Sequence, residues 1–307
     1  LNTALDEVFR SVTPVGQEDR LSADRLLGWN ERAALTPNPS PAVGRGGNTL
    51  FIDCTGFEPQ GEDSAGRLIV NAHQLGWKKF VVFDCRGDRF IGVGLGANTD
   101  GVRIDVYGSS GDYLGSGLDG GEIQVHGDAQ DQVGQILKRG KLVIHGMVGQ
   151  TFLYGAKGGV AYVMGNAAGR PLINAVGHIR TIINGTALDY AAESFMAGAT
   201  TGGGFLIING VSFNEHGSIV PLIDRYPGGN FFSLASGGAG YINDPDWTLG
   251  YDQLNGGEIV GFEQADWAVI EPFLKENEEL FGIKLSGLLN GHEPTRAYRK
   301  VVPERSG

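Results

Sequence analysis

The chain has 307 residues, and its 35 Asp and Glu against 24 Lys and Arg give a formal net charge of -11. An acidic surface repels phosphate backbones and anionic headgroups, which disfavours binding to nucleic acid or to a membrane surface. No stretch approaches the ~20 apolar residues of a spanning helix. Two cysteines, Cys54 and Cys85, are too few for a disulfide framework. These features predict a cytoplasmic protein.

Residues 1–48 contain no repeat and are interpreted as an N-terminal arm that lies on another surface, with a flexible leader as the alternative. Within this arm, residues 23–35 predict a short helix. The Pro-rich residues 37–41 predict an extended segment, because proline restricts the backbone of its neighbours to extended conformations.

Residues 49–96 predict an α/β lead-in to the rest of the chain. Strands at 50–53 and 80–84 flank a helix at 64–75, whose apolar residues share one face and which ends at Gly76. Because the open end of a stacked array must be covered for the protein to stay in solution, we expect this helix to form an N-terminal cap.

Glycine supplies 51 of the 307 residues, against roughly 7% in an average protein. No strict Gly-x-y period is present, which excludes collagen, and a hydrophobic content of 41% argues against disorder. Within residues 97–225 a unit of β-forming residues recurs as IDVYG, IQVHG, LVIHG, AYVMG, TIING and LIING. Its terminal glycines are 19, 19, 19, 20 and 25 residues apart: Gly108, Gly127, Gly146, Gly165, Gly185 and Gly210.

Alternation within each unit, such as Ile123 and Val125 against Gln124 and His126, predicts strands with one face inward and one outward. A coil of about 19 residues can enclose a core only if it stacks in register on the next coil. The sequence therefore predicts a mainly β fold, a β-helix of six to seven rungs. The alternative, an antiparallel sandwich, has turns every 8–12 residues and gives no reason for a period of 19.

The glycines are interpreted as structural corners of the coils. Sharp corners favour positive φ, which costs other residues roughly 1–2 kcal/mol, and stacked corners leave no room for a Cβ. The predicted corner residues are Gly92, Gly94, Gly96, Gly108, Gly115, Gly117, Gly127, Gly134, Gly146, Gly165, Gly185 and Gly210.

Residues 226–307 predict an aromatic and Gly-rich loop, a C-terminal capping helix at 264–281 with a kink at Pro272, and a polar tail. Exposed apolar patches mark interfaces, and the loop contains more rings than the β-helix core needs. The alternative is a loop folded onto the last rungs. The candidate interface residues are Tyr226, Phe231, Phe232, Tyr241 and Trp247.

The run GVGLG at residues 92–96, the stretch GDAQDQVG at 127–134 and the repeated small-residue corners resemble the GXGXG domain at the C-terminal end of the glutamate synthase large subunit. The lead-in, with FIDCTGF and FVVFDCRGDRFIGVGLG, resembles the separately encoded, archaeal-type form of that domain. The resemblance implies a right-handed β-helix without catalytic residues. It would pack an amidotransferase, which releases ammonia, against a barrel subunit that carries FMN and an iron-sulfur cluster and aminates 2-oxoglutarate.

The sequence gives little support for nucleotide binding, metal binding or a nucleophilic thiol. The run at 92–96 does not open a helix after a strand, as a dinucleotide fingerprint requires. His126 and His145 lie one period apart and supply too few ligands for a zinc site, so they are interpreted as a ladder of outward imidazoles. Cys54 and Cys85 each follow an Asp and are interpreted as buried inert thiols. No metal or cofactor is therefore predicted on this chain.

Carboxylates crowd the first rungs and keep a different class of function open. Some β-helices cleave polysaccharides, and paired carboxylates bind Ca²⁺ or act on sugar bonds. Solubility alone also explains acids at corners and outward positions. The residues concerned are Asp105, Asp112, Asp119, Glu122, Asp128 and Asp131.

The leading hypothesis is thus a non-catalytic scaffold subunit of a glutamate synthase-like enzyme. One alternative is the scaffold subunit of a formylmethanofuran dehydrogenase-like or other metal oxidoreductase complex, whose C subunit is a similar β-helix. A stand-alone carbohydrate-active β-helix is the alternative from a different class, and a self-associating structural protein is a third.

Overall fold

The computed structural model of the protein describes residues 26–30, 32–35 and 49–304. Its main feature is one ladder of parallel strands, in which each strand pairs with the strand of the neighbouring coil. The strands of this ladder are β1 (Leu26–Leu27), β2 (Thr49–Asp53), β3 (Lys79–Asp88), β4 (Arg103–Ser110), β5 (Asp119–His126), β6 (Arg139–Ile144), β7 (Val160–Val163), β8 (Arg180–Ile183), β9 (Phe205–Ile208) and β12 (Ala239–Asn243).

The strand register reproduces the period seen in the sequence. Arg103 pairs with Glu122, Glu122 with Lys141, and Lys141 with Val160, so these three steps equal the regular spacing of the corner glycines. The next two steps, from Val160 to Arg180 and from there to Phe205, lengthen as the glycine spacing does. The prediction of a mainly β, coiled fold is confirmed, and the coils form a β-solenoid of about 6 turns.

Two columns of apolar side chains fill the interior of the solenoid. Alternate residues of each strand face inward, as the alternation predicted, and stack directly on their counterparts one coil away. The first column contains Ile104, Ile123, Leu142, Ala161 and Leu206, with the buried Thr181 between the last two, and the second contains Val106, Val125, Ile144, Val163, Ile183 and Ile208.

The lead-in is continuous with this ladder. Helix α1 (Ala65–Gln74) connects β2 to β3, and Ser64 caps its N-terminus by accepting from the Arg67 main-chain N–H at 3.2 Å. Its buried residues Leu68 and Ile69 belong to the same core cluster as the solenoid interior. The predicted helix is therefore confirmed, and the solenoid ladder begins before residue 97.

The N-terminal arm differs from the prediction where the structure describes it. Within residues 26–30 and 32–35 the structure has strand β1 (Leu26–Leu27) and a 3₁₀ turn (Arg32–Ala34) instead of the predicted helix. Strand β1 pairs in parallel with β2, whose edge offers main-chain groups that would otherwise lack partners. The predicted helix is wrong for these residues, and the Pro-rich run lies outside the described part of the chain.

The aromatic segment forms the interior of a further coil. Tyr226, Phe231, Phe232 and Tyr241 have only 0–1% of their surface exposed, and β12 continues the ladder beside β9. The prediction that these four rings form an interface is wrong, because Tyr226, Phe231 and Phe232 fill the interior of this last coil and Tyr241 is buried on its outer side. Trp247 does lie at the surface, with 60% of its area exposed.

The remaining elements cover the end and one flank of the solenoid. Strand β14 (Tyr298–Pro303) pairs antiparallel with β12 and β13 (Gly257–Val260), while β10 (Val211–Phe213) and β11 (Ile219–Pro221) form a separate hairpin. Three helices precede β14 in the chain: α2 (Gln264–Phe281), α3 (Leu285–Leu289) and α4 (Pro294–Ala297).

Helix α2 has the predicted bounds and contains Pro272, but it is not an end cap. Its buried residues Trp267, Ile270 and Leu274 pack in a second core cluster against outward side chains of the ladder, such as Tyr162 and Ile182. The helix therefore covers the outer flank of the strands. Among the described residues, no helix has both the length and the apolar character to cross a membrane.

Candidate functional site

One column of corner glycines lies where neighbouring coils touch. A Cβ built on Gly127 would be 2.3 Å from the carbonyl oxygen of Gly108, and one on Gly165 would be 2.9 Å from that of Gly146. Gly185 would place its Cβ 2.0 Å from the Asn166 side-chain oxygen. These positions require glycine because the coils pack main chain on main chain.

The other corner glycines are needed for their backbone conformation. Gly92 and Gly94 have φ of 75° and 79°, and Gly115 and Gly117 have φ of 64° and 73°. Residues with a left-handed backbone conformation therefore alternate along this corner with residues outside that conformation. This alternation explains a motif with glycine at every second position. The hydrogen bond from the Gly134 N–H to the Leu114 carbonyl, at 2.8 Å, shows that the corner stacks coil on coil.

A groove of about 600 Å³ runs along a neighbouring edge of the coils and is lined by Asp112, Asp128 and Asp131 together with apolar side chains such as Met147 and Leu188. These are three of the six carboxylates singled out in the sequence. A groove beside acidic residues is the place where a polysaccharide-cleaving site would be expected in a solenoid.

Each of these three carboxylates binds main-chain N–H groups of the next coil. Asp128 Oδ1 accepts from the Met147 N–H at 2.8 Å, and Asp131 Oδ1 accepts from the Gln150 N–H at 2.7 Å. Asp112 Oδ1 accepts from the Asp131 N–H at 3.1 Å. The acids therefore satisfy donors that the corner would otherwise leave unpaired.

The other three carboxylates are neutralised by basic side chains. Arg103 lies 2.8 Å from Asp105 and 3.2 Å from Glu122, and Arg139 lies 2.8 Å from Asp119. Asp105 also lies 3.5 Å from His126 Nε2. Burial alone would raise the pKa of the Asp105 carboxyl, but the nearby His126 and the hydrogen bonds from Arg103 outweigh burial and lower this pKa.

The two stacked histidines lie on the outer face of β5 and β6. Their rings are 5.0 Å apart and nearly parallel, with Tyr107 stacked on His126 and Phe281 edge-on to His145. Burial, followed by the nearby His126, lowers the pKa of His145 to about 4. Its Nε2 lies 2.6 Å from Gln124 Nε2, which can only donate, so this imidazole is neutral.

The two cysteines lie at the first coil, away from the groove. Cys54 follows β2, Cys85 lies in β3, and their sulfur atoms are 3.3 Å apart and buried. The hydrogen bond to Cys85, followed by burial, raises the pKa of Cys54 far above its ordinary value. A thiol held neutral in this way is a poor nucleophile.

Comparison with known families agrees with this architecture. The family model described as the GXGXG motif matches residues 86–304, which is more than half of the chain. The chain belongs to the GXGXG motif family. This family is the domain found in the glutamate synthase large subunit. A comparison with curated proteins found no match.

The GXGXG match covers the coils, both columns of corner glycines and the acidic groove. One feature of the groove was not recognised in the sequence. An Asp or Asn side chain accepts a hydrogen bond from a main-chain N–H of the next coil, and the residue that donates this bond follows a glycine. The recurrence of an Asx residue about one period before a glycine is the signal that reveals it. The pairs are Asp128 with Gly146, Asp131 with Gly149, and Asn166 with Gly185.

Proposed function

We propose that this GXGXG chain is a non-catalytic β-solenoid scaffold of a cytoplasmic, glutamate synthase-like enzyme. In this role it packs an amidotransferase subunit against a synthase subunit that carries FMN and an iron-sulfur cluster, and it contributes no redox cofactor itself. The resemblance of the lead-in favours the archaeal-type arrangement, in which this domain is a chain of its own.

The observation that carries this proposal is that the groove carboxylates accept hydrogen bonds from the main chain. A general acid or base must be free to exchange a proton with a substrate. Asp128 and Asp131 instead accept hydrogen bonds at 2.7–2.8 Å from the main chain of the next coil. The same position two coils later than Asp128 holds Asn166, which accepts from the Thr186 N–H at 2.9 Å and has no acid-base chemistry. This amide in an equivalent position favours a structural role over polysaccharide cleavage.

The family match supports the choice of enzyme, because the GXGXG domain is found in the glutamate synthase large subunit. A rigid solenoid suits a scaffold, since its coils are fixed to one another by main-chain hydrogen bonds along their whole length. Trp247 is the predicted interface ring that remains at the surface, where Arg299 lies 4.6 Å from its ring centre. It is our candidate contact with a partner subunit.

The test is purification of the tagged chain from its own host, followed by mass spectrometry and a flavin absorbance spectrum. Recovery of an amidotransferase and a yellow-brown flavin barrel subunit is expected. A molybdenum or tungsten oxidoreductase partner would replace glutamate synthase by the formylmethanofuran dehydrogenase-like alternative. A colourless chain without partners, active on polysaccharides, would overturn the scaffold role.

A variant pair refines this test. Trp247→Ala should lower the recovery of a partner subunit, because large exposed rings concentrate binding energy in interfaces. Ile223→Ala is the control, since Ile223 is 96% exposed and the change also shortens an apolar side chain at the surface. Equal recovery with both variants would remove Trp247 from the interface while leaving the partners themselves to be identified.

A further inference from the structure

The two cysteines and one acid converge at the first coil of the solenoid. Cys54 comes directly after Asp53, which pairs with Phe83 in the neighbouring strand. Regular pairing in β3 is interrupted between Val82 and Cys85. At this interruption Asp84 has a φ of 55°. This bulge turns the Cys85 side chain inward, so that its sulfur lies 3.3 Å from that of Cys54.

A second irregularity brings Asp88 to the same place. The register shifts again between Arg86 and Asp88, and the Asp88 side chain is buried with 8% of its area exposed. Its Oδ2 accepts from the Arg86 main-chain N–H at 3.0 Å. Among the described residues, no basic side chain forms an ion pair with this carboxylate. A buried carboxylate with so little compensation favours a nearby cation.

We propose that Cys54, Cys85 and Asp88 bind one Zn²⁺ ion. One sulfur from each cysteine and one carboxylate oxygen all lie within 4.8 Å of one another. Ligands of one tetrahedral zinc ion lie roughly 3.5–4 Å apart, given Zn–S and Zn–O bonds of about 2.3 and 2.0–2.2 Å. Small movements of three side chains are therefore enough to form the site.

The donor set selects this ion among the common metals. Ca²⁺ and Mg²⁺ require oxygen ligands, and Cu⁺ prefers sulfur alone and would leave Asp88 unused. Two thiolates with one carboxylate suit Zn²⁺, which binds both kinds of ligand. The fourth position is supplied by water from an adjoining pocket of about 330 Å³, which Thr55 and Arg86 also line.

The proposed ion would tie the end of β2 to β3 at the edge of the solenoid. Both strands lie near the start of the parallel ladder, and the two cysteines belong to the core cluster that continues into the coils. Metal binding to the folded state stabilises it by mass action. The ion would therefore stabilise the start of the ladder, and this effect does not depend on the proposed scaffold function.

The experiment uses the full chain, reduced and freed of metal with a chelator. Titration with Co²⁺ should give one equivalent of binding, visible bands of a tetrahedral ion and a near-ultraviolet thiolate-to-cobalt band, and Zn²⁺ should displace the cobalt. Elemental analysis of protein from zinc-supplemented cells should find one zinc per chain. This measurement on the unchanged chain does not depend on whether variants fold.

Variants then assign the ligands. Cys85→Ser should remove most of the thiolate band, and Asp88→Asn should weaken binding roughly tenfold or more. Asp84→Asn is the matched control, because it removes a carboxylate that lines the same pocket and asparagine tolerates the left-handed backbone. Absence of a thiolate-to-cobalt band in the reduced, unchanged chain would overturn the proposal. So would isolation of the chain with a Cys54–Cys85 disulfide if the chain still bound no metal after that disulfide had been reduced.

Discussion

Two glycine-to-alanine variants separate the two reasons for which the corners contain glycine. Gly117 has a φ of 73°, and a Cβ built there would meet no atom within 4 Å. Gly146 does not have a left-handed backbone, but its Cβ would lie 2.2 Å from Asp128 Oδ1 and 2.7 Å from the Gly127 carbonyl oxygen. One variant therefore tests backbone conformation, and the other tests the close approach of two coils.

The expected magnitudes differ severalfold. In Gly117→Ala the left-handed backbone costs about 1–2 kcal/mol, and the lower entropy of the unfolded chain returns about 0.4–1 kcal/mol of this. Ile136 and Asn174 already adopt the equivalent conformation in later coils, with φ of 56° each. We therefore expect a net loss of about 0.5–1 kcal/mol for Gly117→Ala.

Gly146→Ala should cost more, because the obstacle includes main chain that cannot rotate away. Overpacking of a close contact costs about 1–3 kcal/mol. Displacement of the Asp128 carboxylate also breaks its 2.8 Å hydrogen bond with the Met147 N–H, which adds about 1 kcal/mol. The total expected loss of unfolding free energy is about 2–4 kcal/mol.

Urea unfolding followed by circular dichroism measures both variants under the same conditions. The midpoint should fall much further for Gly146→Ala than for Gly117→Ala, with the slope of free energy against urea unchanged. A loss for Gly117→Ala that equals or exceeds the loss for Gly146→Ala would refute the reasoning. In that case backbone conformation, and not contact between coils, would be the main reason for the glycines.

The polar contacts lead to three further predictions. Asp128→Asn should leave the free energy of unfolding within about 0.5 kcal/mol, whereas Asp128→Ala should lose about 1 kcal/mol in the same urea assay. Because the pKa of His145 is about 4 in the folded state and 6.5 in the unfolded chain, stability should be full above pH 6.5 and fall towards pH 4 by about 2–3 kcal/mol. His145→Gln should flatten this decline in pH-dependent melting, unlike the exposed control His216→Gln. Asp266→Ala should lose about 3–5 kcal/mol by leaving Lys300, 2.6 Å away, buried without its partner. The additional change Lys300→Met should restore part of this loss, and no restoration would contradict the pairing.

The repeat was readable from the sequence because its three equal steps have a single physical cause, which is stacking in register. The last coil could not be predicted from the repeat. Its strand β12 follows β9 after an insertion that holds the β10–β11 hairpin, so the period is lost although the pairing continues. The rings of Tyr226 and Phe231 then resembled a surface patch, while they fill the interior of that coil.

The metal-ligand cluster was also invisible in the sequence. Cys54 and Cys85 are separated by helix α1 and the first part of β3, a spacing that matches no zinc motif. Their contact depends on the parallel register of β2 and β3 and on a bulge at Asp84. Pairing between distant strands is a tertiary property, so the two Asp-Cys dipeptides could only be interpreted as isolated buried thiols.

The position of helix α2 had a signal in the sequence that went unused. The outward residue of the repeated unit is Asp105 in β4 and Gln124 in β5, but it becomes Val143, Tyr162 and Ile182 in β6, β7 and β8. A strand that is apolar on both faces must be covered on both faces. Because the second core cluster starts at Val143, the helix lies where the alternation between polar and apolar residues ends. The loss of alternation within a solenoid repeat therefore predicts which coils a flanking helix will cover, and the polar flank of β4 and β5 lies beyond the region predicted to be covered.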